Sequence, residues 1–168
     1  MSIRVVADGA DGYRLLSANN ELAGWVRGRA IGVAGFADEG ALMSAAIRSY
    51  RVLADWLEQQ HLHPLPELGE EPARWIHDGA YRWLLVGRVP VARLPPGTPS
   101  GAAATAHAFE IVLKGSVSEG MTIQAALVAL RVAHERIAAA DVARSGRSNA
   151  FGARSSRAPT THLELEAL

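Results

Sequence analysis

Five residues have side chains and spacing suited to gripping a polyanion or an aromatic ring: Arg14, Trp25, Arg27, Arg82 and Arg93. Arginine presents a planar fork that holds phosphate at two points and stacks on rings. A tryptophan beside it offers a π-surface on which a base can lie. The chemistry they suggest is non-covalent capture of a single-stranded nucleic acid. The stretch "DGYRLLSANNELAGWVRGR" places three of them. If Asn19-Asn20 is a two-residue turn, Ala18 faces Glu21, Leu16 faces Ala23 and Arg14 faces Trp25. Arg27 then lies on the same face, two residues along. Tyr13, Leu15, Leu22 and Val26 fall on the other face, the expected core side. In "YRWLLVGRVPVAR" a Gly87-Arg88 turn sets Val86 against Val89, Leu84 against Val91 and Arg82 against Arg93. Like charges directly opposite repel. Either those tips splay into water, or an anion or carboxylate lies between them. The competing reading makes these solvated strand-edge arginines, with stems over apolar neighbours. A one-residue slip would instead turn Trp25 into the core.

Other chemistries find little support. There is no cysteine, which excludes disulfides, thiol nucleophiles and cysteine-held metals. His61, His63, Glu67 and His77 are close in sequence but lack the ligand spacing of zinc sites. "GRAIGVAGFADEG" has neither the Lys-Ser/Thr ending of a phosphate loop nor dinucleotide-binding glycine spacing. No G-x-S-x-G elbow occurs. The expectation is therefore a non-enzyme with no catalytic residue, no cofactor and no metal. Lys+Arg and Asp+Glu both number 17, and only Lys114 is a lysine. A net charge of zero argues against wholesale electrostatic capture of nucleic acid or anionic membrane. It favours two rivals: a protein–protein or homodimerisation module that buries a sheet face, and a small-ligand pocket between sheet and helices. The first residues lack a signal-peptide core and no stretch approaches a membrane span, so the expected location is the cytoplasm.

These side chains must be positioned by strands, and the chain writes its strand pattern twice. "DGYRLL" from Asp11 returns as "DGAYRWLL" from Asp78. Each copy continues through a turn to "AIGVAGF" or "AFEIVL", apolar runs suited to central strands. A long amphipathic segment follows each. Leu42, Ala46, Ile47, Tyr50, Leu53 and Leu57 share one helical face, capped by Asp38. Ile123, Ala126, Leu127, Leu130 and Ile137 share another, capped by Ser118 and stopped at Gly146. The spacing predicts helices over 38–60 and 118–140. The fold class is α+β: two β-β-β-β-α repeats with antiparallel sheets, one long helix each and a pseudo-twofold. The first repeat occupies 1–60, a linker 61–73, and the second repeat 74–143 with a mobile loop at 95–106. Residues 144–168 form a disordered Arg/Ser-rich tail, whose arginines (Arg144, Arg147, Arg154, Arg157) are either solvated or an electrostatic arm. The two halves bury their helices together or swap them across each other's sheets.

This element order over roughly 3–140 resembles the duplicated β4-α architecture of the PUR-alpha and Whirly families. It also resembles a coactivator family that reaches the arrangement by dimerising. The resemblance is one of element order, not of sequence motif. It implies single-stranded nucleic-acid binding on a sheet face, with Arg14, Trp25, Arg27, Arg82 and Arg93 as the contacting residues.

Overall fold

The computed structural model describes residues 2–10, 12–94, 107–148 and 163–164. Short strands come first: β1 (Ser2–Ala7), β2 (Gly12–Leu16), β3 (Leu22–Arg27) and β4 (Ala30–Phe36), then helix α1 (Glu39–Gln59). A second set follows: β5 (Ala73–Asp78), β6 (Tyr81–Val86), β7 (Val89–Arg93) and β8 (His107–Val112), then α2 (Glu119–Ser148). A two-residue strand, β9 (Leu163–Glu164), pairs with β1. The protein is thus α+β.

The expectation of two separate sheets is corrected. β4 and β8 pair antiparallel from Ala30↔Val112 to Phe36↔His107. A single sheet results, in the order β5-β6-β7-β8-β4-β3-β2-β1, with β9 outside β1. Left apart, the two four-stranded sheets would each expose the backbone groups of an apolar edge; joined, those edges satisfy each other.

Both helices lie on one face and pack against each other. They cross over the seam: α1, which follows β4, packs on β7 and β8, whereas α2, which follows β8, packs on β3 and β4. Ile3, Leu15, Val26, Ile31, Val33, Leu84, Phe109 and Ile111 from the strands share a core with Leu42, Leu53 and Leu57 of α1 and Leu127 and Leu130 of α2. Close approach of α2 requires Gly24, where a β-carbon would sit 3.1 Å from the Leu130 Cδ1 and 2.4 Å from the Gly32 carbonyl oxygen. The buried Ser49 hydroxyl of α1 donates to the Ala129 carbonyl of α2 at 3.1 Å.

The caps follow the sequence. Asp38 Oδ1 accepts from the Ala41 N–H at 2.8 Å, and Ser118 Oγ from that of Met121 at 3.2 Å. α2, however, runs through Gly146 to Ser148, taking in Arg144 and Arg147. A glycine within a helix costs only about 1 kcal/mol, so it does not enforce a stop. The loop expected to be mobile at 95–106 lies outside the described residues, as does the tail beyond Ser148 apart from β9. Among the described residues no helix is long and apolar enough to cross a membrane.

Candidate nucleic-acid interface on the open sheet face

Among the described residues the face of the sheet opposite the helices carries no helix, and its centre is a single row of side chains running across the strands. Val6 lies opposite Arg14, Arg14 opposite Trp25, and Trp25 opposite Gly32. The row continues through Glu110, Arg93, Trp83 and Ile76. The expected pairing of Arg14 with Trp25 holds, and the face assignment with it. Leu15 and Val26 are buried on the helix side. Tyr13 points the same way, its hydroxyl donating to Glu119 of α2; that hydrogen bond, with burial and the carboxylate charge, holds the phenol pKa above its ordinary value. Leu22 departs from the expectation: it is 46% exposed. The hairpin takes a longer turn, with Asn20 at φ 64, and an irregularity between Leu15 and Leu16 sets Leu16 opposite Leu22.

Trp25 lies flat on the sheet. A β-carbon on Gly32 would fall 2.0, 2.3 and 2.4 Å from its Cε2, Cδ2 and Cζ2 atoms. Three adjacent ring atoms nearly equidistant from one point place that point over the plane of the ring, not at its edge. One indole face therefore rests on the Gly32 backbone and the other points outward. The ring is pinned in this pose because Nε1 donates to Glu110 Oε2 at 2.7 Å. Glu110 is only 5% exposed. Its other oxygen, Oε1, accepts from Arg93 Nε at 3.0 Å. The Arg93 guanidinium in turn lies 4.1 Å from the centre of the Tyr81 ring and 5.7 Å from that of Trp83.

Arg82 does not face Arg93, which corrects the sequence expectation. The strand pairs are Arg82 with His77 and Trp83 with Arg93. An extra residue in β7 shifts the register between Leu84 and Leu85, so Ala92 rather than Val91 faces Leu84. One inserted residue moves every later pair by one and reverses the face. Arg93 is thereby sent to the open face, while Arg82, alternating with the buried Leu84 and Val86 of β6, points to the helix side, where it meets Glu39 of α1 at 3.2 Å and covers the Trp75 ring at 5.1 Å. The like-charge problem is resolved by giving each arginine its own carboxylate. Counted outward from the β4–β8 seam, one half presents Trp25 and then Arg14, and the other Arg93 and then Trp83. Trp83, Tyr81 and Glu110 were missed by sequence reasoning; the available signal was Pro90, a residue that sits at edges and bulges in a strand.

Arg14 and Arg27 are exposed on this face, Arg27 at its end opposite Gly12 and Ala30. By strand alternation the β1–β8 residues facing this way include Arg4, Arg14, Arg27, Arg74 and Arg93 against the carboxylates of Asp78 and Glu110. A chain of zero net charge thus carries a locally basic surface. Between the tryptophans lies the Arg93–Glu110 ion pair, and around it the floor of β4 and β8 is small and apolar, formed by Ala30, Gly32, Ala34 and Ala108.

A cleft of about 300 Å³ opens where β7 and β8 part, since among the described residues they pair only at Arg93↔Glu110. Tyr50, Leu65, Trp83 and Val91 line it, with Arg29 and Lys114 among the polar residues. The Tyr50 hydroxyl donates to the Pro66 carbonyl at 2.6 Å, and burial pushes its pKa up to about 12. It therefore keeps its proton at neutrality and anchors the 60–72 connection to α1. Among the described residues no group of three or more His, Asp or Glu side chains is placed to hold a metal ion. No protein-family model, curated protein or solved structure matches the chain, so the reading of this face rests on its geometry.

Proposed function

We propose that the protein is a non-enzymatic binder of single-stranded nucleic acid, with bases stacking on the outward face of Trp25 and phosphates held by Arg14 and Arg27. The observation that carries this reading is the pose of Trp25, laid flat over Gly32 and pinned by Glu110. A ring held in place before binding loses little freedom when a base stacks on it. The Arg93–Tyr81–Trp83 cluster supplies a second aromatic and cationic station along the same row. Arg82 has no part in it. The element order and the β4–β8 seam support the further reading of the chain as a duplicated β4-α unit with a pseudo-twofold between those strands, as in the PUR-alpha and Whirly families.

The test is fluorescence anisotropy with a labelled single-stranded oligonucleotide of about 20 nucleotides, across a salt series. Affinity should fall as salt rises, with a log–log slope of about −0.7 per neutralised phosphate. Arg14→Ala should flatten the slope by about that amount. Trp25→Ala should cost about 1–3 kcal/mol with the slope unchanged. Arg82→Ala should change neither. Absence of binding at low salt would overturn the proposal.

A further inference from the structure

We propose that the chain forms a homodimer by antiparallel pairing of β5 with the β5 of a second copy, in the register that places Ile76 on the dyad. The proposal is independent of nucleic-acid binding. Among the described residues β5 is the last strand of the sheet and pairs only with β6. Its six pairs with β6, Ala73↔Val86 to Asp78↔Tyr81, run without a bulge. It contains no proline and no lysine, the usual devices that protect an edge. The opposite edge, by contrast, is covered in part by β9.

The backbone pattern selects which groups are available. Asp78 and Tyr81 flank a two-residue turn at Gly79-Ala80, so they form a hydrogen-bonded pair. Asp78, Ile76 and Arg74 therefore direct their N–H and C=O groups to β6. Ala73, Trp75 and His77 direct theirs to the free edge. A twofold perpendicular to the sheet keeps each face on its own side, so paired residues must have the same parity. With Ile76 on the dyad, Trp75 exchanges backbone bonds with His77 of the second copy, and Arg74 lies opposite its Asp78. By symmetry each such pair occurs twice.

Two features make this register self-complementary. Arg74 and Asp78 are both exposed and share the open face, so each would find an opposite charge across the dyad. They fall at non-hydrogen-bonded positions, where side chains approach most closely, with Cα atoms about 4.5 Å apart. On the helix face the Trp75 ring is half-buried, with its indole nitrogen covered by the chain's own atoms. His77 of the second copy would lie directly opposite Trp75 and pack against that ring. The open-face row would then continue through Ile76 into the Trp83–Arg93 cluster of the second copy.

Sedimentation across a concentration series tests this with the full chain. The wild type should reach twice the 17.8 kDa monomer mass. Arg74→Asp alone sets Asp against Asp, and Asp78→Arg alone sets Arg against Arg; each should weaken association more than about tenfold. Mixing those two variants restores both opposite-charge pairs and should restore the dimer, as should Arg74→Asp with Asp78→Arg in one chain. His77→Pro removes an outward N–H donor while leaving the bonds to β6 intact, and should also yield monomer. Circular dichroism on each variant separates loss of pairing from loss of fold. A wild type that stays monomeric at all concentrations overturns the proposal. So do single charge variants that dimerise like wild type, a mixture that fails to reassociate, or a folded His77→Pro that remains dimeric.

Discussion

Gly32→Ala should unseat Trp25, and the size of the effect can be worked out from the structure. The added methyl would stand 2.0 Å from the indole Cε2, well inside van der Waals contact. Because Gly32 lies in the middle of the sheet, paired to both Trp25 and Glu110, its backbone has little room to retreat. The indole must lift, and its bond to Glu110 is lost. A hydrogen bond to a charged group contributes about 1.5–3 kcal/mol. Replacing a strand glycine by alanine returns about 0.5–1 kcal/mol of backbone entropy. The net loss is about 0.5–2.5 kcal/mol, which for a chain of this length lowers the melting temperature by about 1–10 °C. The assay is a double-mutant cycle followed by calorimetry. In a Trp25→Ala background the clash is gone, so Gly32→Ala should be neutral or slightly stabilising. Gly32→Ala should also weaken oligonucleotide binding about as much as Trp25→Ala does, since both remove the stacking platform. An equal thermal penalty in both backgrounds would refute the reasoning, because the clash would then lie elsewhere.

Arg82→Ala should cost no more than about 1 kcal/mol in calorimetry, because its partner Glu39 is half exposed and such pairs are weak. His134 gives a pH signature: it stacks on Phe36 at 5.4 Å, and burial, outweighing its hydrogen bond to the Ala34 carbonyl, holds its pKa below the ordinary 6.5. Below pH 6.5 the unfolded chain takes up that proton first, so the contribution of neutral His134 is fully present above 6.5 and is lost as pH falls through the lower folded value. Urea titrations should show stability falling in that window for the wild type, and less steeply for His134→Gln.

Some of this protein could be read from its letters, because the relevant physics is local. Asp38 and Ser118 start the helices as expected, since a cap needs only its own turn of backbone. Arg14 faces Trp25 because two local departures cancel: the turn is one residue longer than two, and the extra Ala23 in β3 restores the register. The apolar periodicity of 42–57 marks the buried face of α1, where Leu42, Leu53 and Leu57 are all core. What the letters left open depends on pairings between distant segments. The separation of Arg93 from Arg82 turns on a single extra residue in β7, and with a side-chain period of two a single insertion reverses the face. The seam joins β4 to β8 across nearly half the chain, and no local pattern specifies which apolar strand a central strand will choose. Glu110 became the centre of the open face only because that seam set it opposite Gly32, while its neighbour β7 brought Arg93 to its other side. The crossed helices have the same origin: once β4 and β8 are adjacent, each following helix lies over the strands of the other half, and that adjacency exists only in the assembled tertiary structure.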